Sequence, residues 1–182
     1  MSRFVALLRG VNVGGNKGVP MSGLKAVAEG LSLGNPRTLL QSGNLVFSSE
    51  GQTVAALEMA LERGIQAELG VETAVCVRTA AEWSALIEAN PFPQEAKADP
   101  SHLLLVAFKS PPDASGSEKI AAAYQGPERI AVVREHAFIV YPDGIGRSKL
   151  SNALLGRHLG QGTGRNWNTV LKLQAMLAER DA

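Results

Sequence analysis

At 182 residues with 45% hydrophobic content, the chain is long enough to bury one sizeable core or two small ones, and its composition excludes a disordered or membrane-embedded protein. One cysteine, Cys76, excludes an internal disulfide and any multi-cysteine metal site. The net charge of +1 conceals a segregation: residues 1–49 sum to +4, residues 50–100 to −6, residues 101–143 to −1 and residues 144–182 to +4. Two basic ends flank an acidic middle, a distribution that suits an anionic ligand where the fold brings the ends together.

The opening apolar run, Phe4 to Leu8, is too short for a signal-peptide core, and no run approaches the ~20 residues of a membrane span, so a cytoplasmic address is expected, without membrane contact. Val5 to Arg9 reads as a buried strand followed by the glycine-rich loop "RGVNVGGNKG". Leu24, Val27, Ala28 and Leu31 then follow helical spacing, with Gly34 as the stop. Thr38 to Phe47 reads as one strand broken at Ser42-Gly43-Asn44, where a glycine signals a bulge or a close backbone approach. Val54, Leu57, Leu61, Ile65 and Leu69 line one face of a longer helix ending at Gly70. Thr73 to Arg78 is strand-like and places Cys76 in the core, and Thr79-Ala80-Ala81-Glu82 is a capping box for a helix that stops at Asn90-Pro91. The first half therefore reads as βαβαβα.

"NPFPQEAKADP" divides the chain into an N-terminal α/β half, 1–90, a linker, 91–100, and a C-terminal α/β half, 101–182. In the second half, His102 to Phe108 reads as a central strand and a small helix surrounds Ile120 and Tyr124. Arg129 to Arg134 and Ala137 to Tyr141 form a hairpin, and two terminal helices, Leu150 to Leu159 and Trp167 to Glu179, are joined by "GQGTGRN". Strand–helix alternation with a hairpin gives an α+β class with mixed sheets.

Three glycine-basic junctions stand out. The first, Gly10-x4-Gly15, has the glycine spacing of a P-loop, but Asn16, Lys17 and Gly18 replace the Lys and Ser/Thr that nucleotide chemistry needs. What survives is a loop whose N–H groups could converge on an anion, with Arg9, Asn12, Asn16 and Lys17 as side-chain donors; the alternative is a plain glycine-rich connector. The second is Gly144-Ile145-Gly146-Arg147-Ser148-Lys149, and the third is Gly162 to Thr169, in which Asn166 is a good N-cap. No GxGxxG fingerprint is present, and Ser22-Gly23-Leu24-Lys25 fits a penicillin-recognising S-x-x-K without its K-T-G partner. His102, His136 and His158 lack metal-ligand spacing, so neither metal nor cofactor is expected, and no triad identifies a reaction.

"FVALLRGVNVGGNKGVPM", "LLQSGNLVF", "NPF", "GIGRSKLSNALL" and "GTGRNWNTVLKL" together resemble the mainly bacterial family called domain of unknown function 1697, over nearly the whole chain. The resemblance implies an α+β fold of two ferredoxin-like halves and brings no activity, cofactor or substrate. Its signature positions fall on Arg9, Gly10, Asn12, Gly14 and Gly15, on Gln41 to Asn44, on Arg147 and Lys149, and on Arg165 to Trp167.

The expected ligand is a phosphorylated or otherwise anionic small molecule. The candidate binding residues are Arg9, Asn12, Gly14, Gly15, Lys17, Ser42, Asn44, Arg147, Lys149, Arg165 and Asn166, with the three junctions on one face. A nucleic-acid module using the same basic ends is the alternative, opposed by the small net charge and 5% aromatic content. A protein-interaction or oligomerisation module is the third class, marked by an exposed apolar patch that a sequence does not display.

Overall fold

Phe4 to Leu8 alternate between two buried faces, which makes a strand central to a sheet the only economical home for them. The computed structural model describes residues 1–15 and 18–179. The chain divides into unit 1, Met1–Ala85 with Leu173–Ala182, and unit 2, Leu86–Lys172.

Unit 1 follows β1 (Ser2–Leu8), α1 (Met21–Gly30), β2 (Gly34–Leu39), β3 (Asn44–Ser49), α2 (Val54–Leu69), β4 (Val75–Thr79), and α3 (Ala80–Glu88), in which the unit boundary falls. The sheet order is β2-β3-β1-β4. One sheet face packs Phe4, Ala6, Leu8, Leu45, Phe47, Val75 and Val77 against Leu24, Val27 and Ala28 of α1 and Leu57, Leu61 and Ile65 of α2, the helical stripes that the spacing predicts. Phe4 and Phe47, cross-strand partners, stack with ring centroids 5.5 Å apart. Gly70 closes α2 at φ 67, and Thr79 and Glu82 form the reciprocal capping box of α3, with Thr79 N donating to Glu82 Oε2 at 2.7 Å and Glu82 N to Thr79 Oγ1 at 3.1 Å.

Strand β4 lies at the edge of the sheet, where outward N–H groups invite pairing with another chain. Two acids of α2 cover it: Val75 N donates to Glu62 Oε1 and Val77 N to Glu58 Oε1, each at 2.9 Å. Part of the acidic middle of the sequence therefore serves as a strand cap. At the other edge, β2 accommodates Pro36 beside a register shift between Gly34 and Arg37.

Unit 2 contains α4 (Pro93–Ala98), a 3-10 turn (Pro100–His102), β5 (Leu103–Phe108), α5 (Gly116–Ala123), β6 (Arg129–Val133), β7 (His136–Val140), a second 3-10 turn (Ile145–Arg147), α6 (Asn152–Leu159), β8 (Gly162–Asn166), and the start of α7 (Trp167–Ala178). Its sheet order, β6-β7-β5-β8, repeats that of unit 1 strand for strand, so each unit has the split βαββαβ arrangement followed by a helix. Phe108, Ile120, Ala137, Ile139, Tyr141, Leu150 and Leu159 form its helix-side core.

The α+β class and the two α/β halves stand, with three corrections. Among the described residues all strand pairings are antiparallel, where mixed sheets are expected, because each split βαβ crossover skips over a central strand that runs the opposite way. Thr38 to Phe47 is a hairpin of two strands, turned at Leu40–Gly43 with Leu40 at φ 57 and Gly43 at φ 79. "GQGTGRN", expected as a helix connector, holds β8: side chains at Gly162 and Gly164 would press on Val106, Phe108 and Leu104 of β5, so these glycines admit the strand. Within residues 91–100, Glu95 of α4 pairs with Arg129 of β6, whose guanidinium lies 5.1 Å from the Phe92 ring centroid. The C-terminal part of α7 belongs to unit 1, where Arg3 Nη1 donates to Leu177 O and Arg37 Nη2 to Met176 O, both at 2.7 Å, while Arg37 pairs with Glu179.

Candidate functional site

In unit 1, β1 pairs antiparallel with both β3 and β4, which brings the end of β1 and the beginnings of β3 and β4 to the same sheet end. The glycine loop, the β2–β3 turn and the lead into β4 therefore meet. Leu8 N donates to Gly43 O at 2.8 Å, Arg9 N to Ala74 O at 2.9 Å, and Thr73 Oγ1 to Arg9 O at 2.8 Å. Gly43 is required twice over: its φ is 79, and a Cβ there would lie 2.7 Å from Val11 Cγ2 and 2.8 Å from Leu8 Cβ.

Asn12 is the latch of this corner. Its Nδ2 donates to Val19 O at 2.8 Å and to Gln41 O at 2.7 Å, while Val19 N donates to its Oδ1 at 2.8 Å. The carboxamide thus closes the loop on itself and ties it to the hairpin turn, with Asn12 at φ 57, a conformation asparagine tolerates better than most residues. Asn44, fully buried, plays a related part by donating through Nδ2 to Leu39 O at 2.7 Å and Ser42 Oγ at 3.0 Å.

Between these anchors Gly14 and Gly15 sit at φ 62 and 76, exposed, with nothing among the described residues within 4 Å of where a Cβ would be. Backbone conformation, not crowding, accounts for glycine at both. Arg9, half-buried, flanks the loop. Structure thus gathers Arg9, Asn12, Gly14, Gly15, Ser42 and Asn44 at one end of unit 1; Asn16 and Lys17 lie outside the described residues.

The unit 2 candidates occupy the end where β5 begins and β7 and β8 finish, as the pairs Leu103↔Val140 and Leu104↔Asn166 show. Arg147 and Lys149 are exposed on the loop between β7 and α6. That loop does not open α6, whose N-cap is Ser151, accepting from Leu154 N at 3.1 Å. Arg165 is buried and donates through Nη1 to Thr163 Oγ1 and Gly164 O, both at 2.8 Å, while Asn166 caps α7 by accepting from Thr169 N at 3.1 Å.

The same end holds a carboxylate that the motif reading passed over. Glu128 Oε2 accepts from Tyr124 OH at 3.0 Å and its Oε1 from the Ser148 hydroxyl, whose own oxygen accepts from Leu150 N at 3.0 Å. Burial pushes the Glu128 carboxyl up, but Ser148, the backbone N–H of Glu128 and Tyr124 together outweigh it and hold the group below its ordinary value. Burial and the Glu128 carboxylate raise Tyr124, and burial followed by the charges of Glu128 and Tyr124 pushes Tyr141 up to about 12. The available signal was Tyr124 four residues before Glu128 around Gly126-Pro127, a turn that folds one side chain back on the other. Asp99 and His102, 3.2 Å apart, form an exposed pair in which Asp99 also caps its 3-10 turn, an arrangement of local structure.

Among the described residues no group of three or more His, Cys, Asp and Glu side chains could hold a metal ion, and no helix is long and apolar enough to cross a membrane. The structure is similar to that of the conserved bacterial protein SP0830 from Streptococcus pneumoniae, with a TM-score of 0.73 and 22% sequence identity over 97% of this chain and 98% of that chain, a likeness of fold. No curated protein matches. A family model described as "Protein of unknown function (DUF1697)" matches residues 1–138, most of the chain, and the chain therefore belongs to the DUF1697 family.

Proposed function

We propose that the protein binds a phosphorylated or otherwise anionic small molecule at the glycine-loop end of unit 1. The observation that carries this reading is the bare backbone of Gly14 and Gly15, held in a left-handed conformation that no described residue crowds, next to Arg9 and fastened by Asn12. Successive backbone N–H groups in such a bend form a concavity of positive potential, and a guanidinium at its rim adds forked, charge-assisted hydrogen bonds. Asn12 and Asn44 contribute by holding the corner rigid, which lowers the ordering cost of binding. Ser42, bonded to Asn44, lies at the same end and offers a hydroxyl.

A thermal-shift screen of nucleotides and sugar phosphates tests the reading. A ligand at ~100 times its Kd stabilises by about 2.7 kcal/mol, a rise of several degrees in Tm. Stabilisation is expected in the parent and in R147Q/K149Q, and is expected to be lost in R9Q and G14A. Loss confined to R147Q/K149Q transfers the site to unit 2, and a screen in which no anionic ligand raises Tm refutes the proposal.

A further inference from the structure

We infer that a pocket in unit 2, between α5 and the start of β6, receives a small organic cation, an alkylammonium or guanidinium group, with Glu128 as its counter-ion. This site is separate from the anion loop of unit 1 and its argument does not rest on it. The pocket is a half-open hollow of about 390 Å³, within the range of small-molecule sites, lined by the apolar side chains of Ile120, Ala121 and Ile130 together with Tyr124, Gln125 and Glu128.

Partial burial sets Glu128 apart from the exposed acids Glu118 and Asp143 of the same unit. Asp113 pairs with Lys119, and Glu95 pairs with Arg129. Glu128 is half-buried and, among the described residues, has hydroxyl partners but no basic one. Its neighbour in sequence, Arg129, is engaged elsewhere, by Glu95 and the face of Phe92. A carboxylate drawn out of water calls for a compensating cation, and of its four or so lone-pair directions Tyr124, Ser148 and its own backbone N–H use three, which leaves one for a further donor. The aromatic ring of Tyr124 beside the carboxylate suits the same ligand, since a cation gains from both.

The site is also built rather than incidental. A Cβ on Gly126 would lie 2.4 Å from both Tyr124 OH and Glu128 Oε2, so the loop backbone is pressed against that hydrogen bond and fixes its geometry. Ser148 is held from the other side by Leu150 N, which directs its hydroxyl hydrogen to Glu128. A Ser–Glu contact also invites a nucleophile–base reading, but a carboxylate kept below its ordinary range is a weak base and a good anion, which favours recognition of a cation over proton abstraction.

The test uses the full chain and follows the amide resonances of Gly126 and Ser148 during titration with n-butylammonium, n-butanol and n-butyrate at neutral pH. Butylammonium is expected to shift both amides saturably and to bind about tenfold more tightly than butanol, the difference one charge-assisted hydrogen bond supplies. E128Q keeps the shape and removes the charge, and should erase that preference; A121F fills the pocket while leaving Glu128 in place, and should abolish the shifts. Butanol or butyrate binding as tightly as butylammonium, E128Q retaining the tenfold preference, or no saturable shift in the parent protein each overturns the proposal.

Discussion

Replacing Asn12 by alanine removes three hydrogen bonds at once and measures how far the glycine loop depends on one side chain. Val19 is fully buried, so its N–H and C=O lose their partner where water has poor access. A buried group left unpaired costs about 1–3 kcal/mol, and two of them place the expected loss at about 2–4 kcal/mol once partial rehydration is allowed. The bond to Gln41 is exposed, water replaces it, and it adds only about 0.5 kcal/mol. Alanine would also inherit φ 57, at about 1 kcal/mol more. The total, about 3.5–5.5 kcal/mol, is a large share of the ~5–15 kcal/mol that holds a domain together. Glycine at the same position loses the bonds but not the backbone comfort, so N12G should be about 1 kcal/mol milder than N12A. Aspartate keeps the acceptor for Val19 N but turns an anion toward two carbonyl oxygens, and N12D should be no better than N12A. Urea unfolding followed by tryptophan fluorescence reads all three as midpoint shifts at constant m-value. A loss below about 1 kcal/mol in N12A, or an N12G less stable than N12A, would show that the latch does not hold the loop.

Three further outcomes follow from the same structure. G43A should cost about 2–4 kcal/mol, because a methyl group meets Leu8 and Val11 at a positive φ, and an unchanged urea midpoint would contradict the close packing of hairpin and loop. E58A should destabilise by about 2 kcal/mol and E58Q by less than about 1, since glutamine still accepts from Val77 N; E58A/E62A, which uncovers the β4 edge, should self-associate by light scattering, and a monodisperse double variant would refute the edge-capping role. Both tyrosines titrate above their ordinary value of 10.0, Tyr141 at about 12, so the folded state holds its protons more tightly. The stability this contributes is complete below pH 10 and is lost as pH rises through about 12; one tyrosinate equivalent in the ultraviolet spectrum of folded protein at pH 10 would refute it.

Local physics was legible without coordinates. The stripe of Leu57, Leu61 and Ile65, the left-handed stop at Gly70, the reciprocal pair Thr79 and Glu82, and the cap at Asn166 each depend on residues within a turn or two of one another, and spacing alone places them. The glycine loop was legible as a backbone feature for the same reason, since a positive φ is a property of single residues. Tertiary structure decided what those residues touch. Asn12 reads as a ligand donor until Val19 and Gln41 take its amide, Arg165 reads as an anion grip until Thr163 and Gly164 take its guanidinium, and Glu128 draws no notice until Tyr124 and Ser148 close on it. Strand β8 shows the reason most clearly. Gly-Thr-Gly-Arg-Asn has little intrinsic strand character, and it is a strand because its glycines fit the side chains of β5, a partner far away in sequence. Helix periodicity and caps are encoded in neighbouring residues, whereas strand pairing and the choice of hydrogen-bond partner depend on which distant segments the fold brings within a few ångströms.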